Sequence, residues 1–142
     1  MTDNDREPDD GTSATQPPAF EPALRTWAMP ADANPNGDIF GGWVIAQMDL
    51  AGSVAATERA KGRIATVAMD AVRFHAPVQV GDLVSCYARI TRVGSTSISV
   101  WVEAWARRGH DGSHTRVTEG ALVYVALDDS GRKRQVPAAS GS

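Results

Sequence analysis

The sequence predicts an α+β domain in which one long apolar helix precedes a series of antiparallel strands. From Trp43 to Ala56 the only polar side chains are Gln47, Asp49 and Ser53, so a helix here is apolar on nearly every side and is expected to be buried. After Gly62, strand-like runs are separated by turn-forming glycine and proline. Because no helices intervene, these strands should pair antiparallel in a sheet that curls around the central helix.

The elements follow in order along the chain. Residues 23–29 form a possible short strand ended by Pro30, and residues 32–42 are loop. The helix is predicted over about 42–60 and ends near Gly62, as helices commonly do at glycine. The strands are predicted from an extended run over 64–74, alternation over 84–90 and 97–104, and an apolar run over 117–127.

Composition predicts one domain with a tail at each end. The chain has 142 residues, of which 42% are hydrophobic and 22% charged, as in an ordinary single soluble domain. Residues 1–22 contain six acids, one base and four prolines, so we expect a disordered acidic tail. Residues 131–142 are expected to be a flexible C-terminal tail, which leaves 23–130 as the folded domain.

Several classes of function are disfavoured by charge and composition. The formal charge is −5 over residues 1–22 and +2 over the rest, without the basic face that nucleic-acid binding requires. No run approaches the roughly 18 apolar residues of a membrane span, so no membrane insertion is expected. Cys86 is the only cysteine, which excludes an intrachain disulfide, agrees with a cytoplasmic location and favours core filler over a nucleophile.

No metal site is expected either. His110 and His114 have i, i+4 spacing, but the residues between them are Asp111, Gly112 and Ser113, which indicate a turn rather than a helix. The sequence also lacks a helical His-Glu-x-x-His motif and cysteine pairs. We therefore predict no metal at the functional site.

Asp49 is the principal candidate for a functional residue. An unpaired carboxylate buried in an apolar helix costs several kcal/mol, so Asp49 requires a partner, a water-filled cavity or a chemical role. The structural alternative is a hydrogen bond with Ser53, one turn along the helix, or with a backbone amide. The functional interpretation is a base or nucleophile that delivers water to an acyl carbon; the sequence does not choose between these mechanisms.

The start of the same helix offers a second half of a site. Unpaired backbone N–H groups at a helix N-terminus can hold a developing oxyanion, and Gly41 and Gly42 would let substrate approach the backbone. Alternatively, these glycines only make a turn and permit close packing. Asp38, in the preceding loop, either polarises a water or caps the helix.

These two halves are too far apart in one helix to act on one small group. Asp49 lies seven residues beyond Gly42, or about 10 Å at 1.5 Å per residue, whereas a reacting carboxylate must be within about 3–3.5 Å of its target. We therefore predict that Asp49 works with the helix N-terminus of another subunit. The small residues Ala51, Gly52 and Ala55 would let two such helices approach each other.

With these residues stated, the sequence resembles the hotdog-fold acyl-CoA thioesterases of bacteria, of the YciA type. The matching positions run from the first strand through the helix and recur to the end of the last strand: Arg25, Ala28, Met29, Pro30, Asp32, Asn34, residues 36–43 and 47–49, then Gly62, Arg63, residues 66–68, Phe74, Pro77, residues 80–82, Val93, Gly94, Gly131 and Arg132. The resemblance covers nearly the whole predicted folded domain.

The resemblance implies hydrolysis of acyl-CoA to a carboxylic acid and coenzyme A, in homodimers that assemble into tetramers or hexamers. No cofactor is implied, because coenzyme A is part of the substrate and of the product. Asp49 matches the catalytic carboxylate of the family, and Asp38 matches a position thought to act across the dimer. Substrate-binding positions would be Asn36, Phe40, Thr66 and Phe74, with Arg63 at the helix-to-strand junction favoured for the CoA phosphates.

Two other functions fit the same fold. A hotdog dehydratase would act on the acyl chain and typically needs a histidine near its carboxylate, but this helix has none. A noncatalytic acyl-CoA-binding module would use Asp49 only structurally.

Overall fold

A computed structural model describes residues 16–139, in which one long helix packs on one face of a five-stranded antiparallel sheet. The strands are ordered β1-β3-β4-β5-β2 across the sheet, so β2 is an edge strand and pairs only with β5. The elements are β1 (Leu24–Trp27), a 3-10 turn (Pro30–Asp32), α1 (Gly41–Ala60), β2 (Ile64–Phe74), β3 (Leu83–Val93), β4 (Ser97–Arg107) and β5 (His114–Ala126). The predicted α+β class, with its single long helix, is confirmed.

The core lies between the sheet and one side of α1. Met48, Ala51 and Ala56 are fully buried against apolar residues of β3, β4 and β5. The prediction that the helix is buried on nearly every side is wrong for the single chain, because Leu50 is 57% exposed and Val54 is 44% exposed. Ala51 and Gly52, expected to face another helix, are buried within their own chain.

The outer face of the sheet holds two buried carboxylates, Glu103 and Glu119. Glu103 on β4 accepts hydrogen bonds from the indole N–H groups of Trp101 (3.2 Å) and Trp105 (3.0 Å). Its cross-strand neighbour Glu119 forms an ion pair with Arg116 (2.9 Å) and lies 3.0 Å from Nε2 of His75. Both carboxylates therefore have the partners that buried charges require.

Packing extends beyond the predicted 23–130 domain at both ends. Val136 is buried, and its N–H donates to the carbonyl of Ser95 at 2.8 Å. At the other end Pro18 is buried, and the Phe20 ring meets Tyr87 edge-to-face with centroids 6.0 Å apart. The predictions for residues 1–15 and 140–142 fall outside the described residues.

No helix within residues 16–139 is long and apolar enough to cross a membrane.

Candidate active site

Asp49 lies in the third turn of α1, where one of its carboxylate oxygens is held by two side chains from the sheet. The Thr66 hydroxyl donates to Oδ1 at 2.8 Å, and the Tyr124 hydroxyl lies 3.0 Å from the same oxygen. The Tyr124 hydroxyl is also 2.9 Å from the Asp49 carbonyl oxygen. The expected alternative partner was wrong, because the Ser53 hydroxyl donates instead to the Leu50 carbonyl at 2.6 Å.

The second carboxylate oxygen, Oδ2, has no hydrogen-bond partner among residues 16–139. Asp49 is only half-buried, so this oxygen is accessible to a substrate or a water. Burial, the negative charge of Asp49 and the hydrogen bond to it raise the pKa of the Tyr124 hydroxyl above its usual range. Tyr124 therefore stays a neutral donor, and Asp49 presents one fixed oxygen and one free oxygen.

The N-terminus of α1 has unpaired backbone donors. The first helical amides to find an acceptor are those of Trp43 and Val44, which donate to the Phe40 carbonyl at 3.0 and 3.4 Å. Within the described part of the chain, the amides of Gly41 and Gly42 have no acceptor, and no side chain caps the helix. These two N–H groups, at the positive end of the helix dipole, are suited to hold an anionic oxygen.

The two glycines differ in what surrounds them. A Cβ added at Gly41 would lie 3.2 Å from Cε1 of Phe74, so close packing accounts for this glycine. A Cβ at Gly42 would meet nothing within 4 Å. The packing alternative therefore explains Gly41 but not Gly42.

Asp38 lies in the loop before the helix and does not cap it. The loop is organised instead by Asn34, whose Oδ1 accepts the amides of Asn36 at 2.9 Å and Asp38 at 3.2 Å. The capping alternative for Asp38 is wrong, since no side-chain hydrogen bond caps α1. Its half-buried carboxylate has no bonded partner within residues 16–139, so it remains available for another role.

The predicted site residues thus fall into two groups on a single chain. Around the helix N-terminus lie the unpaired amides, the Phe74 ring against Gly41, the half-exposed Phe40 ring and the loop with Asn36 and Asp38. Asp49 and Thr66 form the other group, about two helical turns away. Arg63, exposed immediately before β2, lies near Gly131.

Neither the single cysteine nor a cluster of metal ligands provides a second candidate site in the described part of the chain. Cys86 is fully buried, and burial raises the pKa of its thiol to about 12, so it is inert core filler. Among the residues that the structure describes, no three His, Cys, Asp or Glu side chains are grouped to hold a metal ion.

Comparison with known proteins identifies the family. Residues 36–113 match the Thioesterase superfamily. The chain belongs to the thioesterase superfamily. The acyl-CoA thioester hydrolase YciA of Salmonella typhimurium is 46% identical over 129 residues, which cover 89% of this chain and 97% of that protein. The predicted resemblance to YciA-type enzymes is confirmed.

Solved structures of thioesterases share the fold. A hexameric thioesterase from Yersinia pestis superposes with a TM-score of 0.81 at 48% identity, covering 86% of this chain and 99% of that one. A hexameric hotdog fold thioesterase of Campylobacter jejuni gives a TM-score of 0.79 at 44% identity, covering 83% of this chain and 91% of that one. The predicted hotdog fold is confirmed.

Tyr124 was not predicted from the sequence, and Gly52 was predicted only to let two helices approach each other. Tyr124 is on the helix-facing side of β5, where Leu122 and Ala126 also point into the core. A hydroxyl on an apolar strand face requires a partner, and this was the signal that could have drawn attention to it. The pairing itself could not be read, because Tyr124 is 75 residues from Asp49.

Proposed function

We propose that this protein hydrolyses acyl-CoA thioesters, with Asp49 of one subunit and the α1 N-terminus of a second subunit forming each site. The observation that carries this proposal is the arrangement on α1: a half-buried carboxylate with one free oxygen, and unpaired N–H groups at Gly41 and Gly42. The names of the relatives supply the substrate class, since the Salmonella protein is an acyl-CoA thioester hydrolase.

The chemistry follows from these groups. The N–H groups of Gly41 and Gly42 would bind the thioester oxygen as it becomes negative. In one mechanism Oδ2 of Asp49 would take a proton from the attacking water, and the tetrahedral intermediate would expel coenzyme A as its thiolate. In the other, Oδ2 would attack the carbonyl carbon and expel the thiolate, and water would then hydrolyse the resulting acyl anhydride to release the acid and restore Asp49. Asp38 would hold or polarise the water. Coenzyme A is part of substrate and product, so the proposal requires neither a cofactor nor a metal.

A homodimer is proposed because β2, one of the two edge strands of the sheet, lies beside Asp49. β2 pairs on one side only, and its residue Thr66 contacts Asp49. Next to these two residues, Val67 is 53% exposed and Leu50 is 57% exposed. An unpaired strand edge flanked by exposed apolar side chains is a ready surface for a second copy.

A second copy paired along β2 would bring its own helix towards Asp49. We propose that such dimers assemble further, with a hexamer favoured over a tetramer because the Yersinia and Campylobacter neighbours are hexameric. Substrate contacts are proposed for Asn36, Phe40, Phe74 and Arg63. Thr66, expected to bind substrate, has its hydroxyl on Asp49 and is proposed to support that carboxylate. A cytoplasmic location stays a prediction.

The test is release of free thiol from acyl-CoAs of several chain lengths, with the Asp49→Asn variant in parallel. The asparagine oxygen can still accept from Thr66 and Tyr124, so the variant should fold. We expect thiol release by the parent and a loss of at least about a hundredfold in kcat for Asp49→Asn, the usual contribution of a positioned base.

The matched control is Asp129→Asn, at an exposed surface aspartate, which should hydrolyse as fast as the parent. An Asp49→Asn variant with parental kcat would remove the assigned role. A parent that binds acyl-CoA without releasing thiol would instead be the noncatalytic module, and one that changes the acyl chain with the thioester intact would be a dehydratase.

A further inference from the structure

We propose that Tyr124 is a positioning residue for hydrolysis: its hydroxyl fixes Oδ1 of Asp49 so that Oδ2 is presented to the thioester, and residue 52 is glycine to admit that hydroxyl. This inference rests on the proposed function, because it assigns a role to a residue that supports the proposed catalytic carboxylate.

The hydrogen bonds around Asp49 are asymmetric. Thr66 at 2.8 Å and Tyr124 at 3.0 Å both meet Oδ1, and neither meets Oδ2. A carboxylate terminates in a soft, two-fold torsion, so it can rotate and exchange its oxygens unless neighbours hold one of them. Two donors on the same oxygen therefore select one orientation of the group.

Tyr124 adds a restraint that Thr66 does not. Its hydroxyl lies 2.9 Å from the Asp49 carbonyl oxygen as well as 3.0 Å from Oδ1, so one donor contacts both the main chain and the side chain of the same residue. The ring of Tyr124 is fully buried in the core, which makes the hydroxyl a rigid support. These contacts hold the Asp49 side chain against the sheet in a single rotamer.

Gly52 is explained by the same contact. A Cβ at this position would overlap the Tyr124 hydroxyl oxygen and lie 3.1 Å from Cζ and 3.2 Å from Cε2 of the ring. Glycine is less favourable than alanine in the interior of a helix, and Gly52 is in the middle of α1. The close approach of the tyrosine is the feature of the fold that accounts for it.

A phenylalanine would fill the same space in the core, so packing alone does not require a tyrosine. Burying a hydroxyl is unfavourable unless it is hydrogen-bonded, and the partner of this hydroxyl is Asp49. The ring of Tyr124 therefore serves packing, whereas its hydroxyl serves to bind the Asp49 carboxylate.

The first experiment compares Tyr124→Phe with the parent in steady-state thiol release. Tyr124→Phe keeps the ring and removes both contacts to Asp49. Because the lost contact is charge-assisted and orients the reacting carboxylate, we expect kcat to fall about tenfold while KM stays close to the parental value. The control is Tyr87→Phe, at the buried tyrosine on the outer face of the sheet, which should leave kcat and KM unchanged. A kcat for Tyr124→Phe within twofold of the parent would overturn the inference.

The second experiment is a double-mutant cycle with Gly52→Ala. Alone, the added methyl group should push the hydroxyl away from Asp49 and lower kcat. In a Tyr124→Phe background the hydroxyl is gone, so Gly52→Ala should lower kcat little further. Losses that multiply in the double variant would contradict the link between the two residues.

These outcomes are distinct from failure of the proposed function. A parent protein that releases no thiol from any acyl-CoA would defeat both proposals. An active parent with an unaffected Tyr124→Phe variant would defeat only the positioning role.

Discussion

Asp49 is held by residues that lie far from it along the chain, Thr66 at a separation of 17 residues and Tyr124 at 75. The carboxylate itself could be picked out from the sequence, because it is the only charged side chain in the apolar stretch from Trp43 to Ala56. Its partners could not, since only the local alternative was open to pattern reasoning. That alternative failed because Ser53 bonds back to a carbonyl of its own helix, a common arrangement for a helical serine.

Gly42 offers a prediction in which stability and activity change in opposite directions. Its Cβ would meet nothing within 4 Å, so Gly42→Leu should fit the single chain and stabilise it by up to about 1 kcal/mol through helix propensity. The side chain should also block substrate from the amides of Gly41 and Gly42, lowering kcat/KM at least about tenfold.

Thermal unfolding and thiol release measure these two effects. Thr57→Leu, an exposed position near the other end of α1, is the control and should leave activity unchanged. A Gly42→Leu enzyme with full activity would show that the helix N-terminus is not the oxyanion site.

At the scale of elements, the ends of the helix and of β2 could be predicted from the sequence, but the strands that pair with each other in the sheet could not. The predicted 64–74 strand agrees with β2 (Ile64–Phe74), and α1 begins only one residue before its predicted start. Glycines and prolines mark such ends locally. The position of β2 at the sheet edge was not predicted, because its pairing with β5 joins segments distant in sequence.

The predicted C-terminal end of α1 is correct, but glycine conformation, the reason given for it, is only part of the explanation. Lys61, not Gly62, adopts the left-handed conformation, with φ of 54°. Gly62 instead makes room for Arg134, whose guanidinium donates to the carbonyls of Ala60 at 2.7 Å and Leu127 at 2.9 Å. The segment expected to be a flexible tail from residue 131 thus caps the helix.

Arg134→Ala should therefore destabilise the fold. It removes charge-assisted hydrogen bonds to two carbonyls, and because Arg134 is half-buried we expect a loss of about 1–2 kcal/mol in the free energy of unfolding. Lys133→Ala, at the exposed neighbouring residue, should change stability by less than about 0.5 kcal/mol. Denaturant unfolding measures both, and equal stability of the two variants would contradict the capping role.

At the scale of the whole molecule, one chain contains both halves of the proposed site but does not join them. α1 is continuous from Gly41 to Ala60, so the distance along the axis from Gly42 to Asp49 is fixed at about 10 Å. The sequence alone supported this argument, because it depends only on helix geometry. The apolar surface that would unite two chains, at Leu50, Val54 and Val67, became visible only in the structure.

The sequence predicted that Leu50 and Val54 of α1 would lie in the core of the domain, but both are exposed on the single chain. The pattern of apolar residues along a helix does not distinguish burial within one chain from burial between two chains. A completely apolar helix satisfies either arrangement. The free edge of β2 favours the second.

The shared site can be tested by mixing two impaired variants. Chains carrying Asp49→Asn and chains carrying Gly42→Leu are co-expressed with different tags, and assemblies that retain both tags are assayed for thiol release. Each variant alone should retain at most about a tenth of parental activity. A mixed dimer contains one intact site out of two, so dimers that carry both tags should regain about half of parental activity. In hexamers half of the randomly formed pairs are mixed, so about a quarter of parental activity is expected. Mixed assemblies no more active than the separate variants would contradict a site built from two chains.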